Sequence, residues 1–328
     1  MNSSAGVSVV IPTYRRNSLL IRCLQALEEQ SYPHEHVEVL VCDDAPAEST
    51  RTIVECMAAL VPYTLRYIPI RNSQGPAAAR NQGWRSATHE RIAFTDDDTI
   101  PEAEWLSEGV KALDCALAVA GRVIVPLPPI PTDYEKNEAG LQRTEFVTAN
   151  CFVRRSTLLE LNGFDERFTA AWREDSDLHF RILSLPNDSS LHHIVRCESA
   201  RVRHPIRPAR WGISIFQQKK SVFNALLASK HPTLFRQRVE SGPPLDYYVA
   251  SLSCGLMLLG LFEQTIPITV LAAILWTSSA GRFCLRRLQG TSHHPSHLVE
   301  MALTSIAIPP VAIFWRLVGA WRYKVFYF

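Results

Sequence analysis

The sequence predicts an α/β protein with a mostly parallel, Rossmann-like sheet and flanking helices, followed by an α-helical, membrane-associated C-terminal region. Three observations predict it. Short β-branched or apolar runs alternate with helically spaced stretches four times before Thr95, the pattern of parallel strands joined by right-handed crossovers. Two of those runs stop abruptly in carboxylates, at Asp43-Asp44 and at Asp96-Asp97-Asp98, where open α/β sheets bind ligands. Beyond Pro243-Pro244 the chain turns strongly apolar.

The strands and helices follow in order. Val7 to Ile11 reads as a buried strand stopped at Pro12, then Asn17 or Ser18 caps a helix whose apolar face is Leu19, Leu20, Cys23, Leu24 and Leu27. Val37 to Cys42 and Leu65 to Ile70 read as strands around a helix from Glu48 to Leu60. Gly75-Pro76 opens a helix whose small residues, Ala77 to Ala79, permit close approach. Arg91 to Thr95 is the fourth strand, and the spacing of Trp105, Leu106, Val110 and Leu113 predicts a helix opened at Pro101. Leu117 to Val125, Phe146 to Val153 and Ile194 to Val202 read as further strands, with Ser156 capping a short helix. Pro126 to Gly140 reads as a variable loop over a substrate cleft.

At 328 residues the chain holds one large domain and an appendage, or two domains. A net charge of +2 creates no global field for nucleic acid. The eight cysteines form no CxxC pair and read as small buried hydrophobes of a reducing compartment. The N-terminal residues lack the basic and apolar segments of a cleaved signal peptide. No GxGxxG follows the first strand and no GxxxxGK[ST] occurs, which weakens dinucleotide and P-loop readings.

Three adjacent carboxylates repel one another, and a divalent cation relieves that repulsion; hard oxygen ligands suit Mg2+ or Mn2+. The alternative is a solvated acidic turn capping the next helix. Tyr14 and Asp44, after the first two strands, can stack on a base and accept from its ring nitrogen, or Asp44 merely caps a helix. Asp175, beside Trp172 on the first turn of a helix, can be partly desolvated yet kept ionised by the helix dipole, as a general base requires. Otherwise Glu174, Asp175 and Asp177 are first-turn acids favoured by that dipole.

Val-Ser-Val-Val-Ile-Pro-Thr-Tyr, Val-Cys-Asp-Asp, Gly-Pro-Ala-Ala-Ala-Arg-Asn-Gln-Gly, Phe-Thr-Asp-Asp-Asp and Trp-Arg-Glu-Asp occur in an order that resembles the family 2 glycosyltransferases, over about Val7 to His204. The resemblance implies a GT-A fold and an inverting, metal-dependent enzyme using a nucleotide-diphospho-sugar donor. It implies donor contacts at Pro12, Tyr14, Asp44, Arg80, Asn81 and Asp96, a metal at Asp98 and His204, and Asp175 as catalytic base. Trp172 and Glu174 become acceptor-side candidates. Two other classes stay open: a sugar-nucleotide-binding or membrane-scaffold protein without activity, and a sugar nucleotidyltransferase. The latter should carry a Gly-rich loop where this chain has Pro12-Thr13-Tyr14-Arg15-Arg16.

The expected organisation is residues 1–205 as the catalytic domain, 206–243 as an amphipathic interfacial helix and linker, and 244–328 as the hydrophobic region. Trp211 to Ala228 has an apolar side flanked by Arg210, Lys219, Lys220 and Lys230, which suits an anionic membrane surface or an ordinary packed helix. Tyr247 to Phe262 and Ile266 to Gly281 carry no charge but are each shorter than the ~20 residues of a straight span, so two short spans or a re-entrant hairpin both fit. Leu303 to Phe314, interrupted by Pro309-Pro310, reads as interfacial or re-entrant. Flanking arginines at 236, 238, 282, 286 and 287 predict the cytoplasmic face of the membrane, where a lipid-linked acceptor or a growing glycan is accessible.

Overall fold

The computed structural model describes residues 6–186 and 190–326. The chain divides into two units, Met1–Pro126 with Gly140–Pro205, and Leu127–Ala139 with Ile206–Phe328. In the first, β1 (Val7–Thr13), α1 (Asn17–Glu28), β2 (Val37–Asp43), α2 (Glu48–Ala58), β3 (Thr64–Pro69), α3 (Pro76–Ser86) and β4 (Arg91–Thr95) alternate strictly. A two-residue β5 (Ile100–Pro101), α4 (Trp105–Leu113) and β6 (Ala116–Ile124) follow. After α5 (Asp133–Glu138), which belongs to the second unit, come β7 (Asn150–Arg154), α6 (Arg155–Glu160), α7 (Glu174–Leu183) and β8 (His192–Arg203).

The strands form one eight-stranded sheet in the order β3-β2-β1-β4-β7-β6-β8-β5. The first four pair in parallel, with Val9 opposite Val39 and Ala93. β7 enters antiparallel between β4 and β6, and β8 runs parallel to β6. The sheet is therefore mixed. Two antiparallel pairings in succession restore the original direction, so β8 runs the same way as β1, β2 and β4, and all four end at one edge. The central strands are continuous apolar runs because both faces are covered: Val7, Val9, Val10 and Ile11 are all buried. Helix α3 comes close because Gly83 faces Val10 and Cys42, where a Cβ would stand 2.3 Å from Val10.

Asn150 secures the junction of the antiparallel insert. It accepts from Trp105 Nε1 at 2.8 Å and donates to the carbonyls of Arg122 and Ala200, both at 2.9 Å. It lies against Gly121, beside a shift of the β6–β8 register. Two expected caps differ: α1 follows Arg16 and α6 follows Arg154, neither with a side-chain cap. Ser156 is inside α6 and bonds Glu90 instead. The strand expected from Phe146 begins only at Asn150.

In the second unit, α8 (Ile213–Gln217), α9 (Val222–Lys230) and α10 (Pro232–Arg238) precede α11 (Leu245–Phe262), α12 (Ile266–Leu288) and α13 (Pro295–Arg322). The single amphipathic helix expected over Trp211 to Ala228 is broken by a 3-10 turn, and Val222 to Ala228 are buried on every side, packed against α13. The expected 126–140 loop contains α5, closed by a capping box between Thr132 and Glu135. Asp133 at its start takes Arg287 Nη2 at 2.7 Å and Nε at 3.0 Å. Helices α11, α12 and α13, of 18, 23 and 28 residues, are each long and apolar enough to cross a membrane. The third continues unbroken through Pro309-Pro310, unlike the interrupted segment the prolines suggested.

Asn150→Ala should destabilise the first unit by about 1–3 kcal/mol, because it leaves a buried indole N–H and two carbonyls unpaired. Thermal unfolding of the detergent-solubilised chain measures it.

Candidate active site

The loops after β1, β2, β4 and β8 meet at the shared edge. Directly after β4, Thr99 turns the chain by donating its Oγ1 to the Asp96 carbonyl at 2.8 Å, which points the three aspartates three ways. Asp97 faces inward, taking Thr13 Oγ1 at 2.8 Å and Arg16 Nη1 at 3.1 Å. Burial pushes its carboxyl up to about 6 despite Arg16. Asp96 accepts from Arg80 Nη2 at 2.7 Å, and Asp98 lies 3.4 Å from Nε2 of His204, the residue after β8. One ligand atom each of Asp96, Asp98 and His204 lie within 4.8 Å of one another. Two hard carboxylates and an imidazole at that spacing fit a divalent cation such as Mn2+ or Mg2+.

At the end of β2 the two aspartates divide their work. Asp43 is buried and fixes its own loop, accepting from the backbone of Ala45 and Ala47 and from Tyr67. Asp44 accepts the Gly75 N–H on both oxygens, at 2.9 and 3.0 Å, so it holds the start of α3. Burial raises its pKa. Gly75 has φ +108 and lies against the Thr169 backbone, a position closed to other side chains. Pro12 is in the last turn of pairing of β1 with β2, opposite Cys42. Tyr14 is 49% exposed, with the Arg15 guanidinium 5.3 Å from its ring centroid.

Three of the expected site residues, Arg80, Asn81 and Glu174, are buried. Asn81 is buried and its amide is consumed by the protein: it donates to Phe164 O and Glu166, and accepts from Trp84 Nε1 and Phe164 N. It clamps the turn at Gly163. Glu174 is 2% exposed, and its Oε1 takes Arg80 Nη1 at 3.1 Å. Burial pushes Glu174 up to about 7, with the neighbouring Asp175 adding to the rise. Asp175 is half-buried, accepts the Ser176 N–H at 2.6 Å, and is also raised by burial. Arg173, before it, has a left-handed backbone (φ 75) and stacks 4.8 Å from the Trp172 ring, which is 39% exposed. The sequence marked Asp43 and Asp97 only as members of strand-end acidic runs and gave Arg16 no role; their hydrogen bonds show that they hold the loops.

The mixed α/β sheet with its flanking helices has the GT-A fold of its structural neighbours. Residues 8–161 match the model of Glycosyl transferase family 2. The structure resembles a mannosyltransferase from Pyrobaculum calidifontis solved with GDP-Man and Mn2+, at TM-score 0.60 and 18% identity over 95% of this chain and 88% of that one. Glycosyltransferase AglE of Haloferax volcanii is 28% identical over 216 residues, 62% of this chain and 67% of its own. Chondroitin synthase of Escherichia coli is 24% identical across 89% of this chain, which spans 49% of that enzyme's length.

An acid whose folded pKa lies above its unfolded value stabilises the fold at low pH. Glu174, at about 7 against 4.5, contributes stability that is complete below pH 4.5 and lost as the pH rises through about 7. Glu174→Gln should flatten the fall in stability over that window, as read from denaturation curves at successive pH values.

Proposed function

We propose that this chain is an inverting, metal-dependent glycosyltransferase that moves a sugar from a nucleotide-diphospho-sugar to a hydroxyl of a glycan or lipid-linked acceptor. The observation that carries the reading is the convergence of Asp96, Asp98 and His204 on the sheet edge that also receives Asp175 and Asp44. The Pyrobaculum mannosyltransferase, with its bound GDP-Man and Mn2+, supports a nucleotide-sugar donor and a divalent cation.

Asp98 and His204 would hold the cation with Asp96 beside it. A bound Mn2+ or Mg2+ supplies Lewis-acid neutralisation of a diphosphate leaving group. Asp44 keeps acceptor capacity for a base N–H while it holds Gly75, and the exposed Tyr14 ring offers a stacking face. Asp175 acts on the acceptor. The Ser176 N–H fixes its carboxylate, and its raised pKa makes it a better base than a solvated aspartate. It removes the hydroxyl proton as that oxygen bonds to the anomeric carbon and the bond to the diphosphate oxygen breaks. A single displacement of this kind inverts the anomeric configuration. Trp172, with Arg173 over its ring, is an exposed platform for the acceptor sugar.

The apolar α11, α12 and α13 support work at a membrane, and Arg282, Arg286 and Arg287 at the end of α12 favour its cytoplasmic side. Nucleotide-sugars are made there, and a membrane-held enzyme meets lipid-linked acceptors.

Asp175→Asn should leave nucleoside diphosphate binding in Mn2+ intact by calorimetry, while transfer falls by about 10²–10⁴. Full activity in that variant removes Asp175 from the mechanism. Chelation should stop transfer and added Mn2+ or Mg2+ restore it; nucleoside diphosphate, not pyrophosphate, is the expected co-product. The full chain should stay with membranes through an alkaline carbonate wash, and recovery in the soluble fraction would make α11 to α13 a helical core instead.

A further inference from the structure

Arg80 is 2% exposed and divides one guanidinium between two carboxylates, Nη2 to Asp96 Oδ1 at 2.7 Å and Nη1 to Glu174 Oε1 at 3.1 Å. Asp96 follows β4 and Glu174 opens α7, so this cation joins the two parts of the site. Phe164 closes the third side, its ring centroid 5.9 Å from Arg80 Cζ. Stability alone does not account for the arrangement. A buried ion pair can often be replaced by apolar side chains at no loss. Moreover, Arg80 Nε and Glu174 Oε2 are both buried with no hydrogen-bond partner among the described residues, and buried polar atoms are nearly always satisfied.

We propose that Arg80 and Glu174 are positioning residues that couple cation binding at Asp96 to the general base at Asp175. The inference rests on the glycosyltransferase reading for Asp175, but its first half concerns cation binding only. The guanidinium is a rigid planar fork, so its two bonds share one plane and one charge. When Asp96 turns its charge to a cation, Arg80 is drawn more fully to Glu174. An ionised Glu174 beside Asp175 then makes Asp175 the stronger base. By reciprocity, removing the charge of Glu174 turns Arg80 wholly onto Asp96, where it competes with the cation.

The test is a double-mutant cycle on Mn2+ affinity, measured by calorimetry on the full chain in detergent. Glu174→Gln keeps the side chain's size and an oxygen for Arg80 but removes the charge. It should weaken Mn2+ binding about tenfold in the wild-type background. In Arg80→Lys, whose single ammonium has no second arm, the same substitution should change the affinity less than about twofold. The acid limb of the kcat/KM profile should also move to lower pH in Glu174→Gln, since Asp175 loses a neighbouring negative charge. Equal effects in the two backgrounds overturn the coupling. Unchanged Mn2+ affinity in Glu174→Gln overturns it alone, whether or not Arg80→Lys folds. If the Mn2+ cycle holds yet the wild-type chain releases no nucleoside diphosphate from any donor, the transferase reading falls while the coupling of Glu174 to the cation site through Arg80 stands.

Discussion

Arg80 has surrendered its water to stand between Asp96 and Glu174, and the surrounding structure is arranged to meet that cost. Withdrawing a guanidinium from solvent costs several kcal/mol, which only close and well-oriented carboxylates offset. Both must therefore be delivered to one point from distant parts of the chain. β4 brings Asp96 by ending at the common sheet edge, and α7 brings Glu174 by starting there. α3 must hold Arg80 close to the sheet. Ala77, Ala78 and Ala79 are buried without bulk, and Asp44 grips Gly75 where the helix begins. Asn81, the next residue, clamps the turn at Gly163 and Phe164 that closes the third side of the guanidinium. One buried charge thus fixes the geometry of three loops.

The acids at this edge separate into two kinds by what holds them. Asp43 and Asp97 are saturated by the protein, Asp43 by backbone N–H groups and Tyr67, Asp97 by Thr13 and Arg16. They shape loops. Asp96 and Asp98 each bring an oxygen within 4.8 Å of a His204 ring nitrogen, a spacing a cation can use, and Asp175 is half-buried with one oxygen held by Ser176. Alternation of the two kinds along the chain, Asp43 then Asp44 and Asp97 between Asp96 and Asp98, lets one short turn both hold itself and present ligands. Neighbouring carboxylates cannot all face the same way without large repulsion, so the inward member relieves the outward pair.

The sequence made the parallel half of the sheet readable because its strands are continuous apolar runs ended by carboxylates. The antiparallel β7 was less clear: Phe146 to Ala149 has the same apolar character as Cys151 to Val153, but pairing begins only at Asn150. Residue type told that Asp96, Asp98 and His204 are apt for a cation, while their approach depends on β8 returning to the direction of β4, a property of topology. Asn81 and Glu174 show the opposite limit. Their positions in motifs were plain, yet their burial and their partners, Phe164 and Arg80, were not. In the second unit, hydropathy marked α11 and α12, but Pro309-Pro310 falsely suggested a break, since an apolar setting lets a helix pass through prolines.

That second unit is more than a tail appended after Pro205. The chain enters it first at Leu127, leaves at Ala139, and returns at Ile206. The early segment is tied in place by residues from the far end: Asp133 takes Arg287 of α12, and its N–H bonds His297 Nε2 of α13 at 3.0 Å. Arg287 also donates to Thr304 Oγ1 at 2.6 Å, so this buried ion pair carries a full set of neighbours. Val222 to Ala228, buried against α13, depend on the same distant helix. Cutting the chain before Pro243 would therefore strip Asp133 of its cation and expose an apolar helix, and loss of activity in such a fragment would say little about the membrane. Substitutions on the exposed apolar sides of α11 and α12 separate the two roles because they leave Arg287 and α13 intact.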